Sequence, residues 1–143
     1  MHVDDHELAR ACAETLYRDD LASQHLGITV SDVSPGHATA TMRVAATMVN
    51  GHGIAHGGYV VLLADTAFAF ACNTYNARTV AQGLDVSFLA PVRAGDELVA
   101  VAAERFRRGR SGIYDVTVSR DGEVVAELRG RSRTITGEVI GPQ

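Results

Sequence analysis

The spacing of hydrophobic and polar positions changes several times along the 143 residues, and each change marks an element. From Val3 to Arg18, Leu8, Ala11, Cys12, Thr15 and Leu16 recur at helical spacing with acids early and Arg18 late, which predicts an N-terminal helix over 3–18. Leu21 to His25 reads as a short turn, Gly27 to Val33 as a strand rich in β-branched residues, and Pro35-Gly36 as the next turn. Ala38, Ala40, Met42 and Val44 then alternate with Thr39, Thr41 and Arg43, as in a strand with one buried face. A glycine-rich stretch from Asn50 to Gly58 leads into an apolar run to about Asn73 or Tyr75 that is helical in length and composition. Its Ala64, Ala67, Ala69 and Ala71 let a neighbouring surface come close, so this helix should be buried on most sides.

After Arg78 the period returns to two. Leu84, Val86 and Phe88 oppose Asp85, Ser87 and Leu89, a strand from Gly95-Asp96 runs through Arg105, and Ile113 to Ser119 and Val124 to Ile135 flank the hairpin dipeptide Asp121-Gly122. Arg129, Arg131 and Arg133 share one face of the last strand, and Gly137 to Gln143 read as a loose tail. Strands grouped around one central helix predict the α+β class with an antiparallel sheet. The length and the lack of an internal repeat or linker predict a single domain over 1–143.

Composition narrows the functional classes. The longest apolar stretch, Tyr59 to Cys72, is broken by Asp65 and falls short of the roughly 18 residues that a membrane span needs. The start Met1-His2-Val3-Asp4-Asp5 lacks the pattern of a secretory signal, and the two cysteines, Cys12 and Cys72, form neither a disulfide framework nor a metal spacing. A reducing cytoplasm and no membrane association are therefore expected. The net charge of -4 argues against general nucleic-acid affinity. All 13 basic residues are arginine, and Arg105, Arg107, Arg108 and Arg110 crowd into one segment. Guanidinium suits phosphate, although such a segment can equally be a solvated hairpin edge.

Asp65 is the residue that composition does not explain. It stands among Leu62, Leu63, Ala64, Ala67 and Phe68 on a helix with no basic residue, where a lone carboxylate tends toward a raised pKa unless it faces solvent or caps a neighbour. Gly57-Gly58 at the start of the same helix offer unpartnered N–H groups and close approach, a ready site for an oxygen that becomes an oxyanion. Gly57 and Asp65 are eight residues apart, about 12 Å along an ideal helix, too far to serve one carbonyl. Two antiparallel copies could do so, and the chemistry predicts a homodimer. His52 and His56 have the spacing of a helical zinc pair but enclose Gly53, Ile54 and Ala55 with no glutamate, so no metal is expected and His56 is read as fixing the turn or the reacting group by a hydrogen bond. Cys72 reads as a packed hydrophobe, and no Gly-x-Ser-x-Gly elbow is present.

The string Asn50-Gly51-His52-Gly53-Ile54-Ala55-His56-Gly57-Gly58, with Leu63-Ala64-Asp65-Thr66-Ala67-Phe68-Ala69 and Ala71-Cys72-Asn73, resembles the PaaI-like branch of the hot-dog-fold thioesterases. The match extends more loosely through Gly83 to Pro91 and Gly109-Arg110-Ser111-Gly112, covering about His25 to Ile135 and leaving out the N-terminal helix. The resemblance implies an antiparallel sheet wrapped around the central helix, active sites between the subunits of a dimer, commonly a tetramer, and hydrolysis of phenylacetyl-CoA or related aromatic acyl-CoA thioesters, as in phenylacetic acid degradation. By the same resemblance the catalytic carboxylate falls on Asp65, the oxyanion donor on the Gly57 backbone, the orienting histidine on His56, and a polar position near the reacting centre on Asn50. Val61 stands where relatives often carry phenylalanine, a change that could reshape the acyl pocket. Arg107, Arg108 and Arg110 are candidates for the coenzyme A phosphates, and no cofactor beyond the substrate's own coenzyme A is implied. Asp65 can act as general base or as nucleophile. A non-catalytic acyl-CoA-binding protein and an acyl-thioester hydratase or dehydratase are the alternative readings.

Overall fold

In the computed structural model, which describes residues 3–141, the Asp4 carboxylate accepts the Glu7 N–H at 2.9 Å and starts α1 (Asp5–Asp19). The ends of the predicted domain and tail, residues 1–2 and 142–143, lie outside the described residues. Asp20 repeats the device. Its Oδ1 accepts the Ser23 N–H at 3.0 Å, and Leu21–His25, expected as a turn, forms the short helix α2. Five residues are too few to show a helical period, so the cap alone marks this helix.

Six strands follow: β1 (Thr29–Ser34), β2 (His37–Arg43), β3 (Thr79–Phe88), β4 (Glu97–Arg108), β5 (Ser111–Arg120) and β6 (Glu123–Thr134). They make one antiparallel sheet in the order β1-β2-β4-β5-β6-β3, which leaves β1 and β3 as its edges. Asp121 and Gly122 close the β5–β6 hairpin with φ of 48° and 81°, the double left-handed geometry expected of an Asp-Gly turn. β4 runs beyond the expected Arg105 to Arg108, because a bulge between Glu104 and Phe106 absorbs one residue and pairing resumes.

The central helix α3 (Gly57–Cys72) lies in the curve of this sheet and packs most closely on β2 and β4. Sequence explains the closeness. Ala38 and Ala40 of β2 pair with Ala102 and Ala100 of β4, and all four are fully buried, forming a flat bed of methyl groups. Toward β5 and β6 the gap widens and larger side chains fill it. The Phe68 ring lies 5.6 Å from that of Tyr114, and Val116, Val118 and Leu128 are buried beside them. Gly130 of β6 makes room for Phe68, since a Cβ there would stand 2.7 Å from its ring.

The edge strand β3 is partly exposed, and the tail expected to be loose is anchored. Leu84, Val86 and Phe88 do share the face of β3 that looks toward α3, pairing opposite the buried Gly130, Leu128 and Ala126. Yet Leu84 is 36% and Phe88 55% exposed, because β3 is a free edge that α3, seated mainly over β2 and β4, covers only in part. The tail is also not loose over its described part: Arg78 N–H donates to Gly137 O, and Ile140 N–H donates to Asn76 Oδ1 at 2.7 Å. On the opposite face of the sheet, Arg129 makes a two-pronged pair with Asp115 and Arg131 reaches Asp85 at 2.7 Å. No helix among the described residues is long and apolar enough to cross a membrane.

The Gly130–Phe68 contact sets a stability prediction. Gly130→Ala should cost about 1–3 kcal/mol through overpacking in urea unfolding, and a second change, Phe68→Leu, should recover part of it. Equal stability of Gly130→Ala and wild type would refute this account of the packing.

Candidate active site

The chain enters α3 through a loop that its own backbone ties down. Asn50 Oδ1 accepts the His52 N–H at 2.9 Å and the Ile54 N–H at 3.4 Å, while Asn50 N–H donates to Ile54 O at 2.8 Å. Ala55 N–H then donates to Val92 O and His56 N–H to Met48 O, which fixes where the helix begins. His56 is the cap: its Nδ1 accepts the Gly58 N–H at 2.9 Å. A backbone amide can only donate, so Nδ1 is unprotonated and the ring's proton sits on Nε2.

This cap sorts the first amides of the helix. Gly58 N–H is used by His56, and Tyr59 N–H donates to His56 O. Gly57 N–H has no partner among the described residues, at the positive end of the helix dipole. The Phe88 ring, reaching in from the free edge of β3, covers Gly57 so closely that a Cβ would lie 2.9 Å from its Cζ. Beside this contact is a largely apolar cavity of about 310 Å³ lined by Asn50, Ile54, Val60, Phe88, Pro91 and Val125 among others. A more open groove on the other side of the helix start is lined by His56, Gly58, Tyr59 and Leu62.

Asp65 lies two turns further on. It is half-buried, and among the described residues its carboxylate has neither a hydrogen bond nor an ion pair. Burial pushes its pKa up, and the charge of Asp20 adds to the rise. Val61, half-buried, stands one turn from both Gly57 and Asp65, so the three share one stripe of α3. Their helix is apolar on its other faces, with Val60, Leu63, Ala64, Ala67 and Phe68 all buried. Cys72, with its thiol pushed up to about 12 by burial, is no nucleophile at neutral pH.

The arginines do not form one cluster, nor does a single chain bring them to Gly57. The bulge between Glu104 and Phe106 reverses the alternation along β4 and puts Arg107 on the helix side, its Cζ 3.5 Å above the Tyr75 ring and its Nε 3.6 Å from Glu104. Arg108 pairs with Ser111 and points to the opposite side, and Arg110 occupies the turn between β4 and β5. Tyr75 follows the C-terminal end of α3, so Arg107 and Gly57 are separated by the length of a 16-residue helix, about 24 Å. Sequence reasoning assigned no role to Phe88 beyond strand alternation, and the only signal for Asp20 was its position three residues before Ser23.

A family model described as the thioesterase superfamily matches residues 52–127. The chain belongs to that superfamily. The matched segment holds the Gly57 amide, Asp65, Phe88 and the arginine turn of this thioesterase, and leaves out α1, α2 and Asn50. Among its relatives, the acyl-coenzyme A thioesterase PaaI of Escherichia coli is 41% identical over 90% of this chain and 93% of that protein. The structure of the E. coli PaaI protein from the phenylacetic acid degradation operon superposes with a TM-score of 0.92 and 38% identity, covering 94% of this chain and 99% of the other. The phenylacetic acid degradation protein PaaI of Thermus thermophilus, solved as a mutant, gives a TM-score of 0.79 and 34% identity over 81% of this chain and 100% of its own. The sheet wrapped around a central helix is the hot-dog fold of these structures.

A carboxyl group whose native pKa is raised destabilises the fold at every pH where it is ionised. Stability falls as pH rises from the ordinary carboxylate range through the elevated native value, because there the native state holds more protons than the unfolded one. Asp65→Asn should therefore raise the melting temperature at pH 7 and lose that advantage at pH 3. A variant less stable than wild type at pH 7 would mean that the ionised carboxylate has a stabilising partner.

Proposed function

We propose that this thioesterase hydrolyses aromatic acyl-CoA esters of the phenylacetyl class to the free acid and coenzyme A, in an active site completed by a second copy of the chain. The observation that carries the reading is the stripe on α3: a partnerless Gly57 N–H and a partnerless, half-buried Asp65 on one helix, about 12 Å apart by helix geometry. The apolar cavity beside Gly57 suits an aromatic acyl group, and the PaaI name and operon of the E. coli relative point to the same substrate class. Half-exposed Leu84 and Phe88 on the unpaired edge strand β3 support a homodimer. Pairs of such dimers would give the homotetramer.

The thioester carbonyl oxygen accepts the Gly57 N–H of one subunit, which stabilises the negative charge that builds up on attack. Asp65 of the partner subunit takes a proton from water as the water oxygen bonds to the carbonyl carbon. The tetrahedral intermediate collapses with loss of the coenzyme A thiolate, which is then protonated. In the nucleophilic variant an Asp65 oxygen attacks first, coenzyme A leaves, and water cleaves the mixed anhydride. Raised proton affinity favours either role. His56 contributes by holding the helix start, and its Nε2–H can donate to the substrate. A ring already protonated on Nε2 and occupied at Nδ1 is no base, which weighs against hydratase chemistry. Asn50, which lines the cavity, has its side-chain oxygen tied into the loop and its amide N–H₂ without a partner among the described residues. Arg107, Arg108 and Arg110 supply cations for the coenzyme A phosphates, and an antiparallel partner would bring its arginine turn toward Gly57.

Thiol release from phenylacetyl-CoA tests the proposal. Asp65→Asn should lower kcat by about 10²–10⁴-fold with KM little changed, and near-normal turnover would end this assignment. Gly57→Ala should also be impaired by the clash with Phe88 and partly recovered in combination with Phe88→Ala. For the arginines, Arg108→Gln and Arg110→Gln should raise KM for the CoA ester more than for a short thioester without the nucleotide. Equal effects on the two substrates would assign these residues a structural role.

A further inference from the structure

The segment outside the family match is tied by a buried polar chain to Thr66, the residue next to the candidate carboxylate. Ser23 Oγ donates to Asp20 Oδ2 at 2.7 Å, and Ser23 Oγ lies 2.9 Å from Thr66 Oγ1. A serine hydroxyl has one proton, and it is committed to Asp20, so Thr66 must donate to Ser23. The chain thus runs Thr66 to Ser23 to Asp20. Ser23 is 1% and Thr66 6% exposed, so water does not compete for these bonds. Thr66 is the residue next to Asp65 on α3. A capping aspartate needs only the Ser23 N–H, which Asp20 Oδ1 already takes at 3.0 Å; the second oxygen and the contact to Thr66 go beyond capping.

We propose that Asp20 is a positioning residue for the reaction, locked to the Asp65 turn of α3 by the Thr66–Ser23–Asp20 chain so that a second carboxylate bears on the catalytic one. The inference rests on the reading of Asp65 given above. Two carboxylates held near one another do not ionise as readily as one alone, so Asp20 makes Asp65 the stronger base, in line with the cause that follows burial in raising it. No other charged group among the described residues bears on Asp65: α3 has no basic residue, and the Cys72 thiol, about two turns further along the helix, is neutral at working pH. The N-terminal helices α1 and α2 are then part of the catalytic apparatus, although neither touches the substrate in this scheme.

The test is the pH dependence of kcat for wild type, Asp20→Asn, Thr66→Val and Asp65→Asn with phenylacetyl-CoA, alongside melting temperatures. Asparagine keeps the helix cap through its one oxygen while removing the charge, its amide nitrogen now donating to Ser23 Oγ, and valine keeps the shape of Thr66 while cutting the chain. The acid limb of Asp20→Asn should move to lower pH, and Thr66→Val, which leaves the charge but unties Asp20 and Ser23 from the Asp65 turn, should move it the same way by a smaller amount. A lowered kcat or melting temperature with the acid limb unmoved in both variants would overturn the proposal and leave the chain as packing alone. Should one variant fail to fold, the limb of the other decides. Asp65→Asn separates the two levels: activity in that variant removes the functional reading itself, whereas its inactivity with an unmoved limb in Asp20→Asn removes only this inference.

Discussion

The packing of α3 on the alanine bed of β2 and β4 is the constraint from which the rest of this thioesterase follows. Four fully buried alanines let the helix axis approach the sheet at one side, and Phe68, wedged between Tyr114 and Gly130, holds it off at the other. Interiors packed at crystal-like density transmit such spacing faithfully. The helix start is thereby fixed in relation to the β3 edge, and with it the contact between Gly57 and the Phe88 ring. Shifting the helix by the width of a methyl group would close or open the cavity beside it.

A helix so deeply seated makes any charge on it costly, and Asp65 is the charge that it carries. The cost is tolerable because the residue lies on the one stripe, with Val61 and Gly57, that the sheet leaves half-open. It is raised further by Asp20, which the N-terminal helices hold in place. A sequence selected for stability alone would not keep a partnerless carboxylate there, and such arrangements gather where chemistry is done. The helix start shows the same economy in hydrogen bonds. His56 takes the Gly58 amide and its carbonyl takes that of Tyr59, leaving the N–H of Gly57, which lines the cavity, without a partner among the described residues.

Electrostatics on the outside of the sheet follow a different logic. Arg129 with Asp115 and Arg131 with Asp85 are exposed pairs worth little individually, but they keep a broad β-face polar. Arg107 is held more firmly, stacked on Tyr75 beside a Glu104 that also accepts the hydroxyls of Tyr75 and Tyr114. It stands at the far end of α3 from Gly57, separated from it by the length of that 16-residue helix.

The alternations in β2 and β6, the apolar length of α3 and the Asp121-Gly122 turn were all legible in the chain, because periods of 2 and 3.6 residues and left-handed turn positions are local properties. The motif around Asn50, Gly57 and Asp65 was legible for the same reason, as contiguous residues. Three things were not. The helix at Leu21–His25 depends on one cap, the exposure of Leu84 and Phe88 depends on β3 being an edge, and the anchoring of Gly137 and Ile140 depends on Arg78 and Asn76 some sixty residues earlier. Likewise the Phe88 ring over Gly57 and the chain from Asp20 to Thr66 join residues that no spacing rule connects. By itself the sequence determined most of the elements, the family and the candidate residues for the chemistry; the tertiary structure decided which amide stays free, which faces stay uncovered and which charge meets Asp65, because those follow from contacts between distant segments rather than from local periodicity.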